Sequence, residues 1–276
     1  MPYYERRTRS GRLLEVDRYY ATRDGRRISR GANVEESSDD QKGMNDVQAA
    51  NRLRRILLAN FSPDDGDMLV TFTVSGEASR KRLDTMWKRF TEKLKAERDR
   101  RGLPEMKWVK VPHCQSGRWH FHVPMSGGVE LEKLQELWGK ENRISTSILN
   151  LSDNYRGLCR YLLGIEKPRK GETEGNAKEQ RAKFKRRWSC SRNLAKPVVK
   201  KREISQRTVL QMPKAPKGWR LLPEWVIGSD KFGSPYVHFE CVIEDAAAEG
   251  TKKTAGISRE RAGCSRIRAQ DPSASD

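Results

Sequence analysis

The sequence predicts an α+β fold in which one antiparallel sheet of the split βαβ, ferredoxin-like kind has helices on one face and an open second face. Three observations predict it. Residues 68–74 alternate as a strand does, residues 80–98 have a helical apolar stripe, and residues 108–128 contain two more strands before a short helix. The resulting order of strand, helix, strand, strand, helix is typical of a split βαβ sandwich.

The individual elements follow from their apolar spacing. In the first strand, Leu69, Thr71 and Thr73 share one face, because successive side chains of a strand point to opposite sides. The first helix places apolar residues at intervals of three and four, which is the spacing of a core-packing stripe, and the second, in residues 129–139, has a similar inward set. These inward residues are Leu83, Trp87, Phe90 and Leu94, then Leu131, Leu134 and Trp138.

Changes in composition predict the domain organisation. Residues 1–46 are predicted to form a basic hairpin or arm, with Asp24-Gly25 as a turn, followed by a polar linker. A helix is predicted from Val47 to Asn60, capped by Asp46. One domain is expected over residues 47–243, containing a basic segment (178–207) and a C-terminal hairpin (219–243), and the tail 244–276 is expected to be disordered.

The charge of the chain favours a polyanionic partner. Its 276 residues contain 56 Lys and Arg against 37 Asp and Glu, a net charge of +19, and nucleic acid is the usual cellular polyanion. No apolar run approaches the ~20 residues of a spanning helix, so no membrane partner is expected. Five scattered cysteines without a CxxC pair favour reduced thiols in a cytosol.

Three of the four histidines lie between residues 108 and 128 and are candidate metal ligands. His120 and His122 are two positions apart in a strand, so both imidazoles point to one face while Phe121 anchors the other face in the core. His113 is the candidate third ligand, since Ser116-Gly117 can turn its strand beside the histidine strand. The alternative is a polar strand face whose imidazoles are satisfied by hydrogen bonds.

A tyrosine is the second candidate for chemistry. Residues 152–171 predict a helix with Tyr155 and Tyr161, and their six-residue separation places them on different faces, so at most one of them reaches the metal. A phenol beside a cation is a suitable nucleophile for a phosphodiester. The alternative for either tyrosine is packing with its hydroxyl at the surface.

The basic segment has the composition of a single-strand binding groove. Residues 178–207 contain 12 Lys or Arg and 2 Glu, with Trp188 among them. Arg186, Arg187 and Trp188 are candidate DNA contacts; Ser191, Arg192 and Asn193 are candidates either to hydrogen-bond phosphates or to cap a turn.

The order of these motifs resembles that of the HUH endonucleases, and most closely the phage and plasmid initiators of rolling-circle replication. VTFTV, the His120-Phe121-His122 strand and the tyrosine helix correspond to the three motifs of that superfamily. An Asn-Phe pair at 60–61, a Leu-Trp-Gly run at 137–139 and RRWSCSRNLAKP at 186–197 are similar to the initiator group. The resemblance covers roughly residues 45 to 243.

The resemblance implies roles for particular residues. His120 and His122 would hold Mg²⁺ or Mn²⁺, and Tyr161 would be the nucleophile, with Tyr155 as the second choice. Gly164 stands where the family usually has lysine, so the role of that cation passes to Lys167 or Arg160, or is absent. His113 occupies about the place of the family's upstream acidic ligand, with Gln115 as the fallback, and a three-histidine set favours Mn²⁺ over Mg²⁺.

The implied function is nicking and joining of single-stranded DNA at a replication origin through a 5′-phosphotyrosine bond. A host helicase and DNA polymerase are the expected partners, because the chain contains no phosphate loop, and a bacterial cytoplasm is the expected location. A relaxase for plasmid mobilisation would use the same chemistry. Two further possibilities are a non-enzymatic basic nucleic-acid-binding protein and a hydrolase whose histidines activate water.

Overall fold

Antiparallel sheets and a few helices make up the fold, which confirms the predicted α+β class. The computed structural model describes residues 2–21, 38–76, 79–115, 118–165, 187–229 and 233–244. The chain divides into two units with one sheet each: the central unit, residues 35–196, and the terminal unit, which joins residues 1–34 to residues 197–276. No helix among the described residues combines the length and the apolar character needed to cross a membrane.

In chain order, the strands and helices are β1 (Tyr3–Ser10), β2 (Leu13–Tyr20), α1 (Asp39–Asn60), β3 (Met68–Thr73), α2 (Arg80–Arg100), β4 (Val109–Gln115), β5 (Arg118–Met125), α3 (Leu131–Trp138), β6 (Arg143–Ile148), α4 (Arg156–Leu162), β7 (Ser189–Cys190), β8 (Val198–Ile204), α5 (Gln206–Val209), β9 (Trp219–Leu221), β10 (Val226–Ser229) and β11 (Pro235–Ile243). A single 3-10 turn, Pro63–Asp65, precedes β3.

The sheet of the central unit has the order β6-β3-β5-β4-β7, with every neighbouring pair antiparallel. Phe72 of β3 lies at the centre of its core, with ring centroids 5.3 Å from Trp87, 4.8 Å from Phe90 and 5.0 Å from Trp138. These aromatic contacts attach α2 and α3 to one face of the sheet. The predicted inward stripe of α2 is buried as expected, whereas Leu131 of α3 is exposed.

Two boundaries in the central unit differ from the predictions. The first helix begins at Asp39, because the Ser38 hydroxyl accepts a hydrogen bond from Gln41 N and caps the helix there. The predicted cap, Asp46, is instead a buried residue within α1, and part of the predicted linker is helical. The strand β6 was not predicted, because its polar sequence RISTSI is mostly exposed at the edge of the sheet.

The sheet of the terminal unit joins the two ends of the chain, in the order β10-β11-β2-β1-β8, with β9 also paired to β11. The N-terminal hairpin turns at Gly11, whose φ of 54° lies in the left-handed region that glycine tolerates best. The predicted turn at Asp24-Gly25 lies outside the described residues. A core that includes Val16, Phe239 and Val209 of α5 covers one face of this sheet.

The division into units differs from the expected single domain over residues 47–243. The strand β8 from the basic segment pairs with β1, and β11 from the C-terminal hairpin pairs with β2. These segments therefore share a sheet with the N-terminal hairpin, because strand pairing joins them across nearly the whole sequence. Residues 178–186 of the basic segment and residues 245–276 of the tail lie outside the described part of the chain.

Candidate metal centre and its tyrosine

Three histidines from two neighbouring strands converge on one face of the central sheet. In the pairing of β4 with β5, His113 lies directly opposite His120, and His122 lies two residues further along the same face. One ring nitrogen from each histidine lies within 4.8 Å of the corresponding nitrogens of the other two. The face opposite Phe121 and the aromatic core thus presents three potential metal ligands, as the alternation of the sequence predicts.

His113 is held in one tautomer by the backbone. Its Nε2 lies 2.6 Å from the carbonyl oxygen of Leu162, and because a carbonyl only accepts, Nε2 donates the proton. The Nδ1 atom of the neutral ring then keeps its lone pair for a metal. The pKa of His113 is lowered to about 4, mainly by burial and to a smaller extent by the neighbouring His120. The hydrogen bond with Leu162 opposes this shift but does not outweigh it.

His122 is buried and has a hydroxyl partner on the next strand. Its Nδ1 lies 3.0 Å from Oγ1 of Thr71, the residue directly opposite it on β3. Burial lowers the pKa of His122 to about 3, and the neighbouring His113 and His120 add to the effect. His113 and His122 are therefore neutral at pH 7, and a neutral imidazole is the form that ligates a metal.

Tyr161 extends from α4 to this cluster. Its hydroxyl lies 3.4 Å from Nε2 of His122, and the two ring centroids are 5.4 Å apart. The Tyr161 residue is 42% exposed, so the hydroxyl side of the cluster is accessible to a ligand. Because α4 contacts the histidine face through both Tyr161 and Leu162, this face is partly covered rather than fully open.

Tyr155, the second candidate, is part of the core. Its side chain is fully buried, and its hydroxyl donates a 3.1 Å hydrogen bond to the carbonyl oxygen of Phe61. Tyr155 precedes α4 instead of lying within it, and its φ of 60° is in the left-handed region. Of the two tyrosines, only Tyr161 lies beside the histidines.

The structure describes only some of the remaining candidate residues. Lys167 and Arg186 lie outside the described residues. Arg187 forms an ion pair with Asp46 of α1, with 2.6 Å between Nη2 and Oδ1. Trp188, next to Arg187, is partly buried.

Ser191 and Asn193 form hydrogen bonds with the backbone next to β4. The Ser191 hydroxyl accepts a 3.1 Å bond from the Trp108 amide, and the Asn193 side-chain amide donates to the carbonyl oxygen of Glu105 at 3.2 Å. These contacts secure the RRWSCSRNL segment to the central unit and favour a structural role for both residues over phosphate binding. Arg192, between them, is exposed.

The residues present fit a divalent transition metal. All three donors are imidazole nitrogens, the ligand type that suits first-row transition metals better than Mg²⁺, which prefers oxygen. His113 and His122 each form a hydrogen bond through one ring nitrogen, which leaves the other nitrogen for a metal. Histidines that bind metals are commonly oriented by such bonds. His113, His120 and His122 would therefore hold the ion.

Two contributors to the site were not identified from the sequence. Strand alternation put Thr71 on one face of β3 with Leu69 and Thr73, but its position opposite His122 depends on the register of β3 against β5. The role of the Leu162 carbonyl could not be predicted from its side chain, because any residue at that position would supply the same backbone oxygen. Both groups orient ligands rather than bind a metal directly.

Comparisons with known proteins found no relative of this chain. A scan against family models, a search of curated proteins and a search of solved structures each gave no match.

Proposed function

We propose that this protein is an HUH endonuclease that initiates rolling-circle replication by nicking and rejoining single-stranded origin DNA. The observation that carries the proposal is the convergence of a three-histidine cluster with the accessible hydroxyl of Tyr161. A basic nucleic-acid-binding protein would need neither a preorganised cluster of histidines nor a tyrosine beside it.

The topology of the central unit supports this proposal. The order β6-β3-β5-β4, with α2 between β3 and β4 and α3 between β5 and β6, matches the order expected of a split βαβ fold. Placing the histidines on the sheet face opposite α2 and α3 agrees with an HUH site on such a fold. In this interpretation the central unit is the endonuclease domain.

The residues of the site suit a transesterification. The oxygen of Tyr161 attacks the phosphorus and loses its proton; the bond from phosphorus to the 3′ oxygen breaks, and that oxygen gains a proton as a free 3′-hydroxyl. The product is a 5′-phosphotyrosine bond that conserves the phosphodiester, so the reverse reaction can rejoin DNA ends. A divalent metal held by the three histidines would polarise the scissile phosphate as a Lewis acid.

The remaining features of the proposal follow from this chemistry. The substrate is single-stranded DNA at the origin of a phage or plasmid replicon, and the free 3′-hydroxyl primes a host DNA polymerase while a host helicase opens the duplex. The site of action is the cytoplasm of the bacterial host. Because all three ligands are nitrogen donors, activity with Mn²⁺ is expected to exceed activity with Mg²⁺.

The test is capture of the covalent adduct. The protein is incubated with Mn²⁺ and 3′-labelled single-stranded DNA from its own replicon, and label migrating with protein is measured on a denaturing gel. Wild-type protein is expected to form the adduct, and Tyr161→Phe to reduce it by at least about 10³-fold, because the nucleophile is missing. Tyr155→Phe is the matched control and is expected to retain adduct formation, since its hydroxyl is engaged in the core.

Other outcomes would overturn specific parts of the proposal. Loss of the adduct in Tyr155→Phe alone would show that Tyr161 is not the nucleophile. DNA cleavage without an adduct would indicate a metal-dependent hydrolase. Binding without any cleavage of DNA that contains the origin would indicate a protein that only binds nucleic acid.

A further inference from the structure

The edge of the sheet in the terminal unit is strongly basic and consists of the paired strands β1 and β8, of which β1 also pairs with β2 on its other side. The strand β8 is the last of its sheet, and its residues from Val198 to Glu203 are all exposed. The two strands contain two acidic residues, Glu5 and Glu203, and a larger set of cations: Arg6, Arg7, Arg9, Lys200, Lys201 and Arg202. We call this surface the basic ribbon.

Like charges lie opposite each other on both faces of the basic ribbon. Arg7 pairs with Lys200 in the β1–β8 register, and Arg6 pairs with Lys201 one residue further along, so the two pairs point to opposite faces. Directly opposed like charges destabilise a sheet. Arg6 is compensated by Asp17 and Arg7 by Glu5, whereas Lys200 forms no ion pair with the described residues. Such an arrangement favours an anionic ligand.

A buried carboxylate holds three guanidinium groups in place. Glu5, with a fully buried side chain, accepts from Nε of Arg7 at 2.8 Å, Nε of Arg18 at 3.1 Å and Nε of Arg202 at 2.9 Å. Burial alone would raise the pKa of Glu5, but the arginines outweigh it and keep the pKa below its usual value. One negative charge against three positive charges leaves an excess of two, on side chains whose positions are already fixed.

We propose that the basic ribbon binds the phosphate backbone of duplex DNA. The exposed edge strand β8 carries Lys200, Lys201 and Arg202 in a row, and such a row of cations can neutralise successive phosphates of a DNA backbone. Val198 and Val199, both more than half exposed at one end of β8, add an apolar contact surface.

The geometry favours duplex over single-stranded DNA as the partner of this surface. Single-strand sites use exposed aromatic rings as platforms for bases. The aromatic ring that the ribbon contributes on the Arg6 face is Tyr4, and Nζ of Lys201 lies 3.5 Å from its centroid. Because Lys201 covers the Tyr4 ring, a base cannot stack on it. The ammonium group of Lys201 can instead bind a phosphate.

This inference goes beyond the proposed nicking reaction, because it assigns DNA binding to a unit without the histidine cluster. Its test uses the full-length protein in EDTA, so that binding is measured without metal and without cleavage. The probe is a fluorescently labelled 30-bp duplex of arbitrary sequence, and affinity is measured by anisotropy at several salt concentrations. A single strand of the same length is measured in parallel.

The variant is Lys200→Ala with Lys201→Ala, and the matched control is Lys88→Ala with Lys93→Ala, which removes the same charge from the exposed side of α2. The ribbon variant is expected to bind the duplex at least about 10-fold more weakly, and its log–log salt slope to fall by about 2, since each lost phosphate contact removes about 0.9. The control is expected to bind like the wild type. Thermal melts check that both variants fold, and relief of like-charge repulsion predicts no loss of stability in the ribbon variant.

Several results would overturn the inference. One is duplex affinity in the ribbon variant equal to that of the wild type, or no duplex binding by the wild type at all. Another is an equal loss in the control, which would make total charge the cause. The third is a loss restricted to the single strand, which would make single-stranded DNA the partner of the ribbon. A failed nicking assay alone would leave these binding results unaffected.

Discussion

His122 in the central unit and His238 in the terminal unit occupy similar positions, but their pKa values are shifted in opposite directions. Each lies within a strand of an antiparallel sheet, with a strand on either side. His122 lies opposite Thr71, and burial lowers its pKa to about 3. His238 lies opposite Asp17; burial alone would lower its pKa, but hydrogen bonds with Asp17 and Glu240 outweigh it and raise the pKa to about 9.

The difference lies in the cross-strand neighbours rather than in the strand. A carboxylate opposite the ring stabilises the imidazolium and makes an ion pair, here 2.8 Å between Nδ1 of His238 and Oδ1 of Asp17. A hydroxyl or a second imidazole gives no such stabilisation, so burial decides and the ring stays neutral. A neutral ring can bind a metal, whereas a protonated ring paired with aspartate contributes to stability.

The largest expected effect distinguishes the two histidines by metal binding. Replacing His120 by alanine removes one of three ligands and is expected to weaken Mn²⁺ binding by at least about 100-fold, with a corresponding loss of nicking. His238→Ala is the matched control and is expected to bind Mn²⁺ like the wild type. Isothermal titration calorimetry of both variants measures the difference.

Equal Mn²⁺ affinity in His120→Ala and wild type would contradict the ligand assignment. Loss of affinity in His238→Ala with no loss of fold would show that the contrast between the two histidines is wrong.

The next effect is a pH-dependent stability that belongs to His238. Its folded pKa of about 9 exceeds the unfolded value of 6.5, so the pair with Asp17 stabilises fully below pH 6.5 and is lost as the pH rises through 9. The free energy of unfolding of His238→Gln is therefore expected to be lower than that of the wild type by on the order of 2 kcal/mol at pH 6, with most of the difference gone at pH 10. Urea denaturation at the two pH values measures it.

A constant difference between wild type and His238→Gln from pH 6 to pH 10 would mean that the charge of the ring makes no contribution. A difference that grows with pH would contradict the proposed ion pair, because the protonated ring would then destabilise the folded state.

The smallest effect tests how Thr71 supports His122. Thr71→Val removes the hydroxyl 3.0 Å from Nδ1 while keeping the side-chain shape, and is expected to weaken Mn²⁺ binding by about 10-fold, the lower range for a residue that orients a ligand. Thr71→Ser keeps the hydroxyl and is expected to restore most of the affinity. Unchanged affinity in Thr71→Val, or no rescue by serine, would show that the hydroxyl does not orient the ring.

The elements of the central unit were largely predictable from sequence, because they are amphipathic. Phe72 and the apolar stripe of α2 have the periods of a strand and a helix, and both are buried where those periods place them. The strand β6 and the true start of α1 were missed. Both are mostly polar and exposed, so hydrophobic periodicity gives no signal there.

The candidate site was predictable in its ligands but not in its surroundings. Alternation placed His120 and His122 on one face, and the turn before them brought His113 alongside. The family resemblance preferred Tyr161 to Tyr155, but their spacing alone left the choice open. Burial and contacts separate them in the structure, because Tyr155 is fully buried with its hydroxyl bonded to Phe61, whereas Tyr161 is 42% exposed beside His122.

By itself, the sequence determined the α+β class, the shared face of the histidines and the excess of positive charge, because these depend on local spacing and composition. The tertiary structure alone decided which segments share a sheet, joining residues 3–20 to residues 198–243, and where the basic ribbon lies. It also decided which histidine is neutral and which is paired. These properties depend on contacts between residues far apart in the chain, and no local pattern records such contacts.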